Sequence, residues 1–350
     1  MVVVCAGALC AAVAGCGDQQ RSGASTARPS GPRPIVVPIR VRWASFGARP
    51  LVEVRVGNGP KVPVLLDTGS TGLHMYAPGA RVGSGSGVRV TGRRDAITFL
   101  DGMTERGVMA SARVTIGRVT TRGRVPFGLI NHIGCVRELP RCPGAAGIAG
   151  LLARREFGIL GIGLARDGER LPNPLLALTS RHSRRWSIAL HGASGRLTVR
   201  ARVPAHPIAR FGLARERHRG RTPTWKQETE VCWGAVGLRG AGCQPTVFDS
   251  GSTTMLWFGG RLGHTKTYLR SILVNPGTYV AAWARGAARP FWSFTAGYGA
   301  RNALLAVRAR KPLVIASVQA FLKLTITYDD GAGEVLLSPR WQGSGPAGPR

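Results

Sequence analysis

The chain has 350 residues, with 48 Lys and Arg against 17 acids and a formal net charge of +31. A hydrophobic fraction of 44% with only 19% charged residues supplies a sizeable core and excludes an acidic or charge-driven disordered chain, and the length excludes a small disulfide scaffold. All but five of the cations are arginine, which with the abundance of Ala, Gly and Pro marks a coding bias, so the charge is discounted as evidence of a partner. The 49 glycines and 23 prolines separate short Val/Ile/Leu/Thr runs without a fixed repeat, which predicts many turns and an all-β fold, mainly strand with a few short helices.

Residues 1–16, MVVVCAGALCAAVAGC, form an apolar run too short to span a bilayer as a helix but suited to a signal peptide. Its end, Val13-Ala14-Gly15-Cys16, resembles the lipobox of bacterial lipoproteins. That resemblance implies cleavage before Cys16, acylation of Cys16 as a lipid anchor, and a protein held on the outer face of the cell membrane or secreted. Residues 17–34, rich in Ser, Pro, Gly and Arg, read as a flexible tether, and residues 341–350 as a disordered tail. Four cysteines remain for an exported domain, in two local pairs: Cys135 and Cys142 around one short loop, Cys232 and Cys243 around a Gly-rich one. Four cysteines allow three pairings, and each local loop closed contributes up to about 3 kcal/mol. Neither pair has CxxC spacing, no HExxH occurs and the seven histidines are dispersed, so no metal site is expected.

The strongest signal is a motif that occurs twice, as Val64-Leu65-Leu66-Asp67-Thr68-Gly69-Ser70-Thr71 and as Thr246-Val247-Phe248-Asp249-Ser250-Gly251-Ser252-Thr253. One Asp-Thr/Ser-Gly is ordinary turn chemistry, since Asp bonds its own loop and Gly accepts unusual backbone angles. Two copies, each after an apolar run that predicts a buried strand, place two carboxylates where an unpaired charge is costly. That repetition points to a shared function.

On these residues the chain resembles the pepsin-like aspartic proteases, in which each of two lobes gives one Asp loop to a catalytic dyad. Ile159-Leu160-Gly161 is similar to the segment that braces the first loop, and Val314-Ile315-Ala316 to the second, with alanine in place of glycine. Residues 97–117 resemble the flap hairpin and its following strand, VPFGLI at 125–130 the next core strand, and the segment after Val314 the closing strands. Over about residues 35–340 the resemblance implies a bilobal fold with an internal lobe duplication. The expected N-terminal lobe is 35–195 and the C-terminal lobe 196–340, with the basic stretch at 209–226 as a solvated loop between them. Phe99 falls where the family's flap carries a tyrosine, so a phenyl ring replaces a hydroxyl-bearing one.

The resemblance implies an aspartic endopeptidase in which Asp67 and Asp249 share one proton. One carboxyl polarises the scissile carbonyl while the other takes a proton from water, and neither residue is assigned either role. It implies that Thr68 and Ser250 cross-brace the loops, that Gly69 and Gly251 offer N–H groups to the inner carboxylate oxygens, and that Ser70 and Ser252 bond the outer ones. No cofactor is called for, because water is the nucleophile. Met75, Phe99 and Met255 are candidate apolar wall residues that serve equally well as core. The expected partners are a peptide or protein substrate, the membrane through the lipid anchor, and an anionic envelope surface. Nucleic acid is not expected, since arginines are spread along the chain and no RNP, KH or helix-turn-helix pattern occurs. No GxSxG elbow is present, Gly83–Gly87 and Gly144–Gly150 lack a phosphate-loop context, and a monomer is expected. The alternative is a pepsin-like surface module, catalytically weak or inactive, with Phe99 and Ala316 as its signature.

Overall fold

Hydrophobic alternation organises this chain, and its strands carry it as read in a computed structural model. The structure describes residues 33–44, 47–164, 171–178, 184–216, 224–235, 238–239, 242–259, 261–262, 267–268, 271–297, 302–307 and 309–340. The Cys16 anchor, nearly all of the tether and the 341–350 tail therefore lie outside the described residues. The protein is mainly β, with 53% strand and 7% helix, in accord with the all-β expectation. Among the described residues two short α-helices, Gly147–Ala153 and Val318–Phe321, and two 3-10 turns, Ala77–Gly79 and Pro174–Ala177, accompany the strands.

A 15-stranded sheet and a 9-stranded sheet hold almost all the strands. In the larger sheet the order around the first motif is Val62–Asp67, Gly158–Ile162, Thr71–Tyr76, Val125–Cys135, Met103–Ala112, Arg89–Thr98. In the smaller sheet the order around the second motif is Gly242–Phe248, Leu313–Ala316, Met255–Phe258, Leu304–Val307. The first four strands of each series share one pattern. The strand entering the Asp loop pairs parallel with a later strand, which pairs antiparallel with the strand leaving the loop, which pairs parallel with a fourth.

The sheets do not divide at 195/196. Ser194–Val199 runs through that point as one strand, and the closing strands Leu324–Asp329 and Glu334–Pro339 join the larger sheet rather than the smaller. From Arg33 onward the chain is one compact unit. The basic stretch at 209–226 is not wholly loop either: Ala209–Gly212 is a strand paired with Glu334–Pro339, and 217–223 lie outside the described residues.

Strand position explains strand composition. Val62–Asp67 has neighbours on both sides and buries nearly every residue, so its sequence is continuously apolar rather than alternating. Arg89–Thr98 ends the sheet and exposes nearly every residue, with Arg89, Arg93 and Arg94 on an edge that charge protects from further pairing. Val64 and Leu66 enter the main core with Phe248, Met255 and Trp257, while Leu65, Ile159, Tyr76 and Met103 form a second cluster beneath the hairpin of Arg89–Thr98 and Met103–Ala112. Because side chains alternate, Asp67 follows Leu65 to the second face, and Asp249 likewise shares a face with Val247 rather than with Phe248.

Candidate functional site

Both Asp loops end strands that face the same cavity, of about 400 Å3, lined by Asp67, Asp249, Leu65, Val247, Ile159 and Ile315 among others. The loops approach so closely that a Cβ on Gly69 would lie 2.5 Å from Asp249 Cγ, and one on Gly251 2.5 Å from Asp67 Oδ1. Only glycine permits that approach. The braces between the loops are reciprocal. Thr68 N donates to Ser250 Oγ at 3.1 Å, and Ser250 N donates to Thr68 Oγ1 at 2.9 Å. In turn Thr68 Oγ1 donates to Phe248 O and Ser250 Oγ to Leu66 O, both at 2.8 Å. Both hydroxyls are fully buried, so each bond replaces one that water would otherwise have made.

The carboxylates are oriented by their own loops. Gly69 N donates to Asp67 Oδ1 at 2.7 Å and Gly251 N to Asp249 Oδ1 at 2.8 Å. Ser70 Oγ donates to Asp67 Oδ2 at 2.5 Å. Ser252 does not repeat this: its hydroxyl donates to Thr254 O at 2.7 Å, and only its backbone N–H reaches Asp249, at 3.3 Å from Oδ1. The expected bond from the Ser252 side chain to the outer oxygen is thus corrected. Its hydroxyl closes a local turn instead.

Burial, then the charge of Asp67 and a hydrogen bond with it, hold the Asp249 carboxyl well above its ordinary value of 3.8, against the opposing pull of the Gly251 and Ser252 N–H groups. The physical cause is that two adjacent carboxylates cannot both ionise cheaply away from bulk water. Such a pair retains one proton where isolated carboxylates retain none, so it can donate a proton and accept one at the same time.

Register revises the second brace. Gly161 pairs with Asp67, whereas Ala316 pairs with Phe248, one residue before Asp249. The residue in the place of Gly161 is therefore Ser317, which is fully buried and accepts from Gln319 N to start the Val318–Phe321 helix. Asp249 N is held by Ala316 O at 2.8 Å.

Phe99 stands at the tip of the hairpin, where Phe99 N donates to Met103 O at 2.8 Å and Gly102 N to Phe99 O at 3.0 Å. It lines the cavity that holds the aspartates. The hairpin strands run Arg89–Thr98 and Met103–Ala112, so it starts earlier than the predicted 97. Met75 and Met255 are in the main core and do not line the cavity, leaving Phe99 as the one of the three on its wall.

Several cavity residues carried no motif. Tyr76 lines the wall nine positions after Asp67, and alternation along Thr71–Tyr76, with Leu73 and Met75 in the core, was a usable signal for it. Arg49 also lines it, fixed by Glu156 through two bonds of 2.6 Å. Gln227 Nε2 donates to Thr68 O beside the loop, a long-range contact with no local signature.

Cys135 bonds to Cys142 and Cys232 to Cys243, which are opposed in the ladder of Thr229–Ala235 and Gly242–Phe248. The two local bridges are thus the pairing adopted, and they are compatible with an exported protein. Among the described residues no helix is long and apolar enough to cross a membrane, and no group of His, Cys, Asp and Glu could hold a metal ion. No protein-family model matches the chain, and no curated protein matches it.

Proposed function

We propose that the protein is an aspartic endopeptidase of the pepsin-like kind, with Asp67 and Asp249 as its dyad. The observation that carries this reading is the reciprocal Thr68–Ser250 bracing of two Asp-Thr/Ser-Gly loops across one cavity, with each glycine facing the other loop's aspartate. Turn chemistry alone would not bring two sequence-distant loops together, nor orient both carboxyls towards one space. The repeated four-strand pattern supports a lobe duplication as its origin.

In this reading the pair holds one proton. The protonated carboxyl donates to the carbonyl oxygen of the scissile bond as water, losing a proton to the other carboxylate, attacks the carbonyl carbon. The tetrahedral gem-diol collapses as the carboxyl that took the water's proton passes it to the leaving nitrogen and one gem-diol hydroxyl gives its proton to the other carboxylate. The C–N bond breaks and the dyad returns to one proton. In this reading an extended peptide lies between Phe99 on the hairpin side and Leu256, Leu313 and Ile315, which supply apolar wall to the same cavity. The second reading, a surface module that binds peptides without cleaving them, draws on the Ser252 hydroxyl being turned to Thr254 O and on Ser317 in the place of Gly161. The export, the Cys16 anchor and contact with an anionic envelope belong to the same proposal.

The test is cleavage of a quenched fluorescent peptide library across about pH 3 to 7, a span that brackets carboxyl titration. Turnover that Asp67→Asn and Asp249→Asn each abolish is the expected result. Folded, disulfide-bonded protein that binds peptides but turns none over at any pH would replace the enzyme reading with the binding one.

A further inference from the structure

Outside the dyad, the largest concentration of buried titratable groups lies behind the hairpin. His74, on the strand leaving the Asp67 loop, has its Nδ1 3.3 Å from Glu105 Oε2 and 3.9 Å from Asp95 Oδ2. The side chains of all three are almost fully buried, at 3%, 0% and 4% exposure for His74, Glu105 and Asp95. Glu105, the nearer acid, is within hydrogen-bonding reach of His74 and of the Tyr76 hydroxyl, whereas Asp95 Oδ2 has no hydrogen-bond partner and is held by its attraction to the imidazolium. Among the described residues no Arg or Lys forms an ion pair with Asp95 or Glu105.

The placement of the two acids matters. Asp95 is on the outer strand of the hairpin and Glu105 on the inner one, close to the tip that carries Phe99 over the cavity. A glycine, Gly128, backs the cluster from the neighbouring strand, where a Cβ would lie 2.2 Å from Asp95 Oδ2. The strands flanking His74 meet it with Gly128 and Ile159, which carry no charge. The titratable groups facing it are therefore Glu105 and Asp95 from the hairpin and Asp67 from its own stretch of chain, while Tyr76 meets Glu105 from the other side, with Glu156 and Arg49 beyond it.

We propose that His74 is a positioning residue for the hairpin: as an imidazolium it ties Asp95 and Glu105, and with them both hairpin strands, to the strand that leaves the Asp67 loop, and on losing its proton it releases them. With His74 charged, two buried carboxylates face one cation. With His74 neutral they face none, a burial that is costly enough for the hairpin to loosen or water to enter. Burial alone pushes the imidazole down, but the hydrogen bond and charge of Glu105 and then the charges of Asp95 and Asp67 outweigh it and leave His74 above its ordinary 6.5. The lock is complete below about 6.5 and is lost as pH rises through the raised value. The hairpin is thus held shut on the acid side of the His74 midpoint. The consequence for peptide cleavage rests on the reading of Asp67 and Asp249 as a peptidase dyad, whereas the titration of the hairpin does not.

The experiment follows His74 by NMR and the amides of residues 89–112 by hydrogen exchange in the full chain. Exchange is corrected for its intrinsic pH dependence and referenced to amides of Gly242–Phe248. Expected are a His74 midpoint above 6.5 and a fall in hairpin protection of about tenfold across that midpoint. Replacing Glu105→Gln should lower the midpoint, and the double variant His74→Phe with Glu105→Gln, which removes the titrating imidazole and the nearer of its two acids, should show no step. In active enzyme KM should rise several-fold across the same midpoint with kcat changed less, and the double variant should lose that rise. A midpoint at or below 6.5, a hairpin without a step, or a step that persists in the double variant overturns the proposal. A step that follows His74 in protein that cleaves nothing would sink the peptidase reading and leave the lock standing. Cleavage without the step would do the reverse.

Discussion

The two Asp loops have nearly the same sequence and the same reciprocal braces, yet they sit in different surroundings. The Asp67 loop has a serine hydroxyl on its carboxylate, Gly161 beside it and a hairpin above it. The Asp249 loop has its serine hydroxyl turned to Thr254 O and Ser317 in the place of the glycine, and its sheet contributes apolar wall residues rather than a hairpin. What the loops share is therefore what places two carboxyls together, and what differs is what surrounds each one. The shared part should be sensitive to substitution on either side, and the differing part on one side only.

The largest effect expected is on the contact itself. Gly69→Ala and Gly251→Ala each drive a methyl to about 2.5 Å from the opposite carboxyl. Either should destabilise by about 1–3 kcal/mol through overpacking and remove turnover, as read by urea unfolding and peptide cleavage. A large loss from one and none from the other would end the symmetry of the contact.

The braces should sharpen the comparison. Each substitution strands the other loop's N–H, but Ser250→Ala also removes a donor from Leu66 O, whereas after Thr68→Ala the Phe248 carbonyl keeps the Tyr328 hydroxyl at 2.8 Å. Ser250→Ala is expected to cost about 2–3 kcal/mol and Thr68→Ala about 1–2 kcal/mol in denaturant unfolding. Equal costs would mean that Tyr328 offers no compensation.

The raised carboxyl sets a pH dependence with a definite sign. Native protein binds more protons than unfolded protein between 3.8 and the raised value, so the contribution of Asp249 to stability is full below about 3.8 and is lost as pH rises through that value. Thermal unfolding of wild type should therefore lose stability relative to Asp249→Asn as pH rises over this window. A gap between the two that does not change with pH would remove the shared proton from the account.

The smallest effect separates the serines. Ser70→Ala should lower kcat/KM several-fold by removing a hydroxyl donor from Asp67, while Ser252→Ala should leave the dyad unchanged. Equal losses would show that the Ser252 hydroxyl turns to Asp249 when substrate binds.

By itself the sequence determined the β character, the local cysteine pairs as one of three options, and the two aspartate loops. These are local properties: strand alternation, turn residues and a repeated motif are written in neighbouring positions. Tertiary structure decided what depends on register and on distance along the chain. A one-residue difference in parallel pairing moved the counterpart of Gly161 from Ala316 to Ser317, and a local turn captured the Ser252 hydroxyl. Strand order carried the closing strands into the larger sheet, across the boundary expected at 195/196. His74, Asp95 and Glu105 carry no motif, because the hairpin with the two acids meets the strand of His74 only through Val125–Cys135, which pairs with both. Such a cluster is a product of sheet assembly, and only the assembled sheet excludes the water that would otherwise screen it.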